Sequence, residues 1–327
     1  MVEKKKSRVR FPIHGVLLLD KPLGLSSNQA LQKAKYLLRA QKAGHTGALD
    51  PLASGVLPLC FGEATKFSQF LLDSDKRYQA TFRLGLETES GDMDAPVVVD
   101  QDASHITLEQ IENAIENFRG CIEQVPPMFS ALKHQGQPLY KLARSGVEIE
   151  RKPRSVEIYE YRLLNFRSGP QPEIDVDVFC SKGTYIRSLA LDLGFALGVG
   201  ATVTQLRRTQ AGPYFLDQCV TLEQLQEWLP DDQPEELSKE ALWQMFSAKS
   251  DELLAPVDSP VASLPSVIIP AESEKYFSHG NSVFSADFSE LAVAKDVRVF
   301  SAEGAFLGLG AITEGSRVQP KRLVVID

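Results

Sequence analysis

The sequence is poor in the residues that bind metals or form disulfides. Only four cysteines occur, widely spaced and without a C-x-x-C pair, and the five histidines show no H-x-x-x-H spacing. Neither a zinc site nor a disulfide framework is indicated, because both need cysteine or histidine at characteristic spacings. We therefore expect no metal site and predict that the cysteines are small buried hydrophobic residues. They are Cys60, Cys121, Cys180 and Cys219.

Long apolar runs are absent as well. The four-residue run 16–19 ends in Asp20, whereas a membrane helix needs roughly 18 apolar residues. The basic segment 1–10 is not followed by a signal-peptide core. We expect a cytoplasmic protein with no membrane partner. The glycine-rich stretch 44–60 fits neither G-x-x-x-x-G-K-[ST] nor G-x-G-x-x-G, and no G-x-S-x-G occurs, so a nucleotide cofactor and a serine-hydrolase site are weakly supported.

The composition is that of an ordinary globular protein, but the charge is unevenly distributed along the chain. The net charge is −8 over 327 residues. The segment 217–258 alone has a net charge of −9, whereas 1–50 has +7 and 133–154 has +4. Local basic clusters of this kind favour contact with phosphates. The alternative is that they are solvated faces, as most charge runs are.

The length allows one large domain and one small domain. A proline-rich linker at 255–265 separates the acidic segment from a stretch with short β-type runs and several glycines. We predict a separate small β-rich domain from residue 259 onward. The β-type runs in it include Val297–Phe300 and Leu323–Ile326.

Hydrophobic periodicity predicts the other elements. Helices are expected from a cap at Ser26–Asn28, at Glu63–Leu72, from the capping box at Thr107 to Phe118, and at Tyr185–Leu197, Leu222–Leu229 and Leu237–Phe246. Strands are expected at His14–Asp20, Tyr78–Leu84, Val156–Phe166, Glu173–Cys180 and Thr202–Arg208. Residues 85–96 are predicted to be an acidic loop, and the proline-rich, cationic segment 126–154 a mobile insertion.

The stretch Gly44–Cys60 is interpreted as a constrained loop around a single carboxylate, Asp50. Glycine allows positive φ and proline fixes φ, so few other residues could replace them around this acid. If Asp50 is catalytic, as a nucleophile or a base, it needs a nearby cation to stay ionised. The candidates are Arg187, Lys21 and His45. The alternative is that Asp50, just before a proline, only opens a turn.

Each aromatic or cationic candidate could instead have an ordinary structural role. Tyr78 could stack on a base from the start of its strand, but such a ring is more often part of a core. Lys21 could be a turn residue, Arg187 a surface cation on the first turn of its helix, and Tyr185 a core aromatic. Spacing alone leaves these alternatives open.

The segment Gly44–Pro58 closely resembles the signature of the TruB-type tRNA pseudouridine 55 synthases. Further blocks match the family in the family's order. These blocks are Asp20–Ser27, Lys76–Tyr78, Pro126–Lys133, Cys180–Arg187 and Leu206–Thr209. One departure is the Ser26–Ser27 pair, where many members have Thr-Ser, and this change keeps the hydroxyl.

The resemblance implies an α+β fold. A catalytic domain over residues 1–258 would contain a mixed, largely antiparallel sheet flanked by helices, with a mobile RNA-binding insertion at about 124–154. Residues 259–327 would form a small β-barrel-like PUA domain that binds RNA.

The resemblance also implies that the protein is a stand-alone bacterial enzyme that isomerises uridine 55 in the tRNA T loop to pseudouridine. Asp50 matches the catalytic aspartate, which attacks a flipped-out nucleotide either at uracil C6 or at ribose C1′. Tyr78 matches the tyrosine that stacks on the base, and Arg187 the arginine that pairs with the carboxylate. The substrate-binding matches are Lys21, His45, Tyr185 and Leu206. No cofactor, metal or guide RNA is implied; the partner would be the tRNA T arm, and we expect a monomer.

Two other functions remain open from sequence. A non-catalytic RNA chaperone would have the same basic surfaces but no need for Asp50, Tyr78 and Arg187 together. The catalytic subunit of a guide-RNA-dependent complex would share the aspartate motif and a PUA domain. The basic insertion, suited to a direct grip on a T arm, favours the stand-alone enzyme.

Overall fold

The computed structural model describes residues 9–227, 239–284, 296–313 and 315–326. Within these ranges the strands are β1 (Gly15–Lys21), β2 (Ala43–His45), β3 (Ala53–Phe61), β4 (Lys76–Leu84), β5 (Leu86–Thr88), β6 (Val97–Asp100), β7 (Gly120–Gln124), β8 (Lys133–His134), β9 (Gln137–Pro138), β10 (Arg154–Arg167), β11 (Glu173–Cys180), β12 (Ala201–Ala211), β13 (Tyr214–Phe215), β14 (Ser266–Ile268), β15 (Val283–Phe284), β16 (Val297–Phe300), β17 (Phe306–Thr313) and β18 (Arg317–Leu323). The helices are α1 (Ser27–Leu37), α2 (Ser68–Leu72), α3 (Leu108–Glu116), α4 (Leu139–Arg144), α5 (Ile186–Ala196), α6 (Leu222–Glu227), α7 (Lys239–Leu253) and α8 (Ala271–Ser278).

The large sheet has the strand order β1-β3-β12-β4-β11-β10-β7, with β2 added to β3 and β13 to β12. Every neighbouring pair is antiparallel except β3 and β12, which run parallel. The predicted mixed, largely antiparallel sheet is therefore confirmed. The parallel pair is the second and third strand of this order, and the segment that contains Asp50 leads into β3.

Helices pack on the sheet through apolar faces that the sequence predicts. The alternating side chains of β4 and β11 form a core with α3 and α5, and β1 and β3 pack against α1 and α6. The capping boxes of α1 and α3 are formed by Ser26 with Gln29 and by Thr107 with Gln110. Such a box satisfies backbone N–H groups at a helix start, which fixes where each helix begins.

The interpretation of Gly44–Cys60 as a loop is only half right, because its second half is the buried strand β3. Gly55 has a φ of +105°, and a Cβ there would lie 2.1 Å from the Arg208 carbonyl oxygen on β12. Glycine is thus needed for close approach of two strands. Gly44 has no such constraint, since a Cβ there would meet nothing within 4 Å.

Other predicted elements differ in their bounds. The helix expected at 63–72 is a 3-10 turn (Gly62–Phe67) followed by the short α2. Hydroxyls compete with the helix there, since Thr65 Oγ1 donates to Gly62 O (2.7 Å) and Ser68 Oγ to Thr65 O (2.9 Å). The acidic loop 85–96 begins with strand β5. The ends 228–229 and 237–238 of two predicted helices lie outside the described residues.

The prediction for the cysteines is confirmed for Cys60 and Cys180, which are buried. It is wrong for Cys121, which is exposed on β7, at the edge of the large sheet. Cys219 is partly exposed.

The C-terminal region forms a five-stranded sheet in the order β14-β16-β17-β18-β15 around its own apolar core. The run Leu323–Ile326 was expected to be a strand, but β18 ends at Leu323. The chain beyond it docks on the 3-10 turn, where Glu63 accepts a bond from Val325 N (2.9 Å) and Lys66 donates to Leu323 O (2.9 Å). The domain boundary at residue 258 stays a prediction.

The insertion predicted at 124–154 contains the hairpin of β8 and β9 and the short α4. Its lysines and arginines are exposed, apart from the partly buried Arg151. Its mobility stays a prediction. In the described part of the chain, no helix combines the length and apolar character needed to cross a membrane.

Candidate active site

Asp50 lies in a segment that is fixed from both sides. The Ser27 hydroxyl, at the start of α1, accepts a bond from Leu49 N (2.7 Å) and donates to Leu49 O (3.0 Å). On the other side, Ala53 N donates to Asp50 O (3.0 Å) at the start of β3. These contacts hold the backbone of Asp50 between a helix start and strand β3. Its side chain is still 45% exposed and lines a small cleft together with Arg187 and Leu206.

Arg187 forms an ion pair with Asp50, with 2.9 Å between Nη2 and Oδ2. The arginine is on the first turn of α5, and its side chain is only 6% exposed. The same Nη2 also donates to Phe129 O (2.6 Å), in the insertion. The alternative that Arg187 is a surface cation is therefore wrong, because the fold of α5 onto the sheet buries it beside Asp50.

Asp92 is a site residue that sequence reasoning missed. Its Oδ2 lies 3.1 Å from Arg187 Nη1, which also donates to Ser90 O (3.2 Å). Asp92 is buried, and its other oxygen accepts a bond from the Ser90 hydroxyl (2.6 Å). In the sequence it stands among several acids of a predicted loop. Nothing local in the sequence distinguishes it from the neighbouring acids of that loop.

The pKa of Asp50 is raised from its ordinary value. Burial is the largest cause, and the neighbouring charges of Asp92 and Asp94 act in the same direction. Arg187 and Lys21 oppose the shift by favouring the ionised form. Arg187 and Lys21 thus limit the upward shift of the Asp50 pKa that burial causes, but they do not cancel it.

Lys21 is completely buried at the end of β1, opposite Gly55 of β3. Its ammonium donates to Leu25 O (2.6 Å) and Pro22 O (2.9 Å). Burial lowers the pKa of Lys21 to about 8, while Asp50 opposes that shift. The expectation of a buried cation near the carboxylate agrees with this placement, and a plain turn residue does not.

Tyr78 is half-buried on β4, directly opposite Arg208 of β12. Burial raises the pKa of Tyr78, and the adjacent Arg208 guanidinium acts against that rise through its charge and a side-chain hydrogen bond. Asp50 is near enough to raise the pKa of Tyr78 further. The structure thus brings the predicted stacking ring to the same site as the carboxylate.

The wall of the cleft is apolar. Leu206 lies on β12 opposite Ala53 of β3 and shares the cleft with Asp50 and Arg187. Tyr185 precedes α5 and is half-buried; its backbone N–H donates to Gln124 Oε1 (2.8 Å). The charges of Arg187 and Asp50 both act on the Tyr185 hydroxyl. Leu206 thus lines the cleft, whereas the placement of Tyr185 in a pocket wall stays a prediction.

His45 ends β2 and lies on the Arg208 side of the site. Burial lowers the pKa of His45, and the charge of Arg208 lowers it further. Its Nδ1 is buried without a hydrogen-bond partner among the described residues. The alternative in which His45 pairs with Asp50 is not supported by this placement.

The arrangement suits a nucleophile more than a metal. An accessible carboxylate oxygen is paired with a buried guanidinium, beside an aromatic ring and an apolar wall. In the described ranges, no group of three histidine, cysteine or acidic side chains is placed to hold a metal ion.

Comparison with known families covers most of the chain. Residues 35–186 match the N-terminal domain of the TruB family pseudouridylate synthases. Residues 187–262 match the C-terminal domain of tRNA pseudouridylate synthase B, and 265–324 match the C-terminal region of pseudouridine synthase II TruB.

Full-length relatives are similar over nearly their whole length. A tRNA pseudouridine synthase B of Saccharophagus degradans is 52% identical over 314 residues, which is 96% of each chain. One of Vibrio atlanticus is 49% identical over 326 residues, covering 99% of this chain and 98% of the relative.

Among solved structures, a chain of a Cbf5-Nop10-Gar1 complex superposes with a TM-score of 0.67. It is 26% identical, and the match covers 95% of this chain and 84% of that one. The sheet, the cleft and the sequence matches agree, and the chain belongs to the TruB family of pseudouridylate synthases.

Proposed function

We propose that this protein isomerises uridine 55 in the T loop of tRNA to pseudouridine, with Asp50 as the nucleophile and without a guide RNA. The observation that supports it most is the pair of Asp50 and buried Arg187 in a small cleft. Relatives named tRNA pseudouridine synthase B that match over nearly the whole chain support tRNA as the substrate.

The reaction conserves every atom of the nucleotide. The C1′–N1 bond breaks, the uracil turns within the pocket, and a C1′–C5 bond forms. C5 then loses its proton and N1 gains one, so the product is an isomer of the substrate. No oxidation, reduction or net hydrolysis occurs. Asp50 attacks either ribose C1′ or uracil C6, and both routes require the ionised carboxylate that Arg187 favours. The bond from Asp50 breaks again in either route: C5 displaces the carboxylate from C1′ as the C1′–C5 bond forms, or the carboxylate leaves C6 as C5 loses its proton.

The other site residues have roles that follow from their chemistry. Tyr78 stacks on the target base, an interaction worth about 1–3 kcal/mol, and is near enough to assist removal of the C5 proton. Leu206 and Tyr185 form the pocket walls. Lys21 adds a buried positive charge that favours the ionised Asp50. His45 helps to hold the T loop open.

The target uridine must leave its stacked position to reach the cleft, at a cost of a few kcal/mol that stacking and pocket contacts offset. The exposed cations of residues 124–154 would contact phosphates of the T arm, and the C-terminal sheet would contribute RNA binding. Recognition then depends on RNA shape and on splayed loop bases.

The deciding experiment incubates the purified chain with an unmodified tRNA transcript and no other RNA. Pseudouridine is detected by mass shift after selective labelling, and its position by fragment mapping. We expect one pseudouridine at position 55, and a transcript with cytidine at that position is the matched control. Product elsewhere would refute the site specificity. Product that forms only when a guide RNA is added would indicate the guide-dependent class instead.

A further inference from the structure

Arg208 is a buried cation that the proposed roles leave without a function. It is 1% exposed. Within the described residues it forms no ion pair, and its Nη2 is buried with no hydrogen-bond partner. Retaining a buried guanidinium without a carboxylate costs free energy, because desolvation is not offset by an opposite charge. A functional reason for this arginine is therefore to be sought in what its side chain contacts.

The position of Arg208 on the sheet joins two parts of the site. On one side it is paired with Gly55 of β3, in the strand that follows Asp50. On the other side it is paired with Tyr78 of β4. Residues directly opposite each other on antiparallel strands project to the same face, with Cβ atoms about 4.5–5.5 Å apart. The Arg208 and Tyr78 side chains are therefore neighbours by the register of the sheet.

The guanidinium is anchored to the Asp50 segment. Its Nε donates to Val56 O (2.8 Å). A Cβ at Gly47, where φ is +62°, would lie 3.3 Å from Nη1. Glycine at this position leaves room for the guanidinium beneath the loop that leads to Asp50. Arg208 is thus bonded to Val56 and lies close to Gly47, and it is opposite Tyr78 in the sheet.

We propose that Arg208 is a positioning residue that acts through Tyr78, an inference that rests on the proposed function. Its guanidinium is held by the Val56 carbonyl and lies beside Gly47 of the Asp50 segment. From there it donates to the Tyr78 hydroxyl, which sets the angle and position of the ring relative to Asp50. A base that stacks on Tyr78 is then presented to the carboxylate in one orientation, as a fast reaction requires.

The surroundings of Tyr78 agree with this role. Besides Arg208, the groups that act on its hydroxyl are the Cys180 thiol and Asp50, and both favour the neutral phenol. Arg208 is the cation that acts against the raised pKa of Tyr78.

The first test uses the free protein without RNA. 3-Fluorotyrosine is incorporated at position 78 of the full chain, and its ¹⁹F resonance is recorded. We expect the resonance to shift in Arg208→Lys and Arg208→Gln, because the hydroxyl loses its guanidinium neighbour. The matched control is Arg207→Gln, the adjacent arginine, which pairs with Asp20 (2.6 Å) and Ser54 (3.0 Å). An unchanged resonance in the Arg208 variants would overturn the proposal.

The second test is a double-mutant cycle on single-turnover rates. Arg208→Lys should lower the rate about 10- to 100-fold, as for loss of a hydrogen bond from a charged donor, with little change in the Kd for tRNA. In a Tyr78→Phe background, which lacks the hydroxyl, the same change should cost less than about threefold. Equal falls in both backgrounds, or a fall in affinity alone, would show that Arg208 does not act through Tyr78.

Two measures keep the outcomes separate. Thermal unfolding identifies a variant that has lost its fold, and Arg208→Lys, which keeps the charge, decides the question if Arg208→Gln does not fold. A ¹⁹F response in a protein that forms no pseudouridine would refute the proposed function, yet it would support Arg208 as the residue that positions Tyr78.

Discussion

Two buried arginines flank the cleft, and their surroundings are opposite in charge. Arg187 lies within ion-pair distance of Asp50 and Asp92. Arg208 has no carboxylate partner in the described part of the chain, and two buried lysines near it have their pKa values lowered partly by its charge. One side of the site therefore has an excess of negative charge and the other an excess of positive charge.

The difference shows that a buried arginine can serve a site in two ways. With two acids around it, Arg187 tunes a carboxylate: it favours the ionised Asp50, while Asp92 opposes it. With no acid beside it, Arg208 cannot act through such a pair; its bond to the Val56 carbonyl and its place opposite Tyr78 instead support the positioning role proposed above. Substitutions on the Arg187 side should therefore change the pH dependence of the rate, whereas those on the Arg208 side should change the rate alone.

The largest effect is expected from Asp50→Asn, which removes the reacting carboxylate but keeps the shape of the Arg187 side. We expect no detectable pseudouridine, with tRNA affinity nearly unchanged, because an amide cannot act as the nucleophile. The measurement is product formation beside a tRNA-binding titration. Asp102→Asn, an exposed acid outside the cleft, is the control. Formation of pseudouridine by Asp50→Asn would show that Asp50 is not the nucleophile.

The next largest effect is expected from Arg187→Met. We expect the single-turnover rate to fall roughly 10²- to 10³-fold, as for loss of one preorganised charged donor, with a smaller change in affinity. Because Arg187 opposes the raised pKa of Asp50, its removal raises that pKa further. Ionised Asp50 is then lost at higher pH, so the acid limb of the pH–rate profile moves up. An unchanged limb would show that the pair does not tune Asp50.

A smaller effect is expected from Asp92→Asn, and its pH signature has the opposite sign. The rate should fall about 10-fold, since Arg187 loses a charged acceptor. The charge of Asp92 raises the pKa of Asp50, so its removal moves the acid limb down. Asp94→Asn is the matched control: Asp94 acts on the same pKa but has no ion pair with Arg187. Asp94→Asn should move the acid limb of the pH–rate profile to lower pH and leave the plateau rate unchanged.

The smallest effect is expected from Gly47→Ala, on the Arg208 side. Positive φ costs alanine about 1–2 kcal/mol of stability. The same cost applies to Gly120→Ala, where φ is +77° and no atom lies within 4 Å of the added Cβ. Only Gly47→Ala crowds the guanidinium, so only it should lower the rate, by about fivefold or ~1 kcal/mol. Equal rates in both variants would contradict a role for the space around Arg208.

Much of the fold could be predicted because its signals are local. The alternation on β4, the cap at the start of α1 and the capping box of α3 depend on residues within one element, and the structure confirms them. Strand β3 was missed because its glycine and proline read as turn residues. Gly55 is instead required by the approach of β12, which lies about 150 residues further along the chain.

The site residues also divide into those that the sequence pointed to and those that only the structure revealed. The family resemblance pointed to Asp50, Tyr78 and Arg187; in the structure Arg187 pairs with Asp50, and Asp50 is near enough to affect the pKa of Tyr78. Their catalytic roles stay predictions. Asp92 and Arg208 were missed, because an acid in an acidic loop and one arginine of an adjacent pair have no distinguishing local pattern. Their importance depends on what folds against them.

By itself the sequence determined the periodicity of most strands and helices, the caps at helix starts and the constrained backbone around Asp50. Only the tertiary structure decided which cation pairs with the carboxylate and which lies beside the ring. The physical reason is that ion pairing and burial depend on distances between segments far apart in the chain. Arg187 and Arg208 are the same residue type on neighbouring elements, and the folded surroundings give one two carboxylates and the other none in the described ranges.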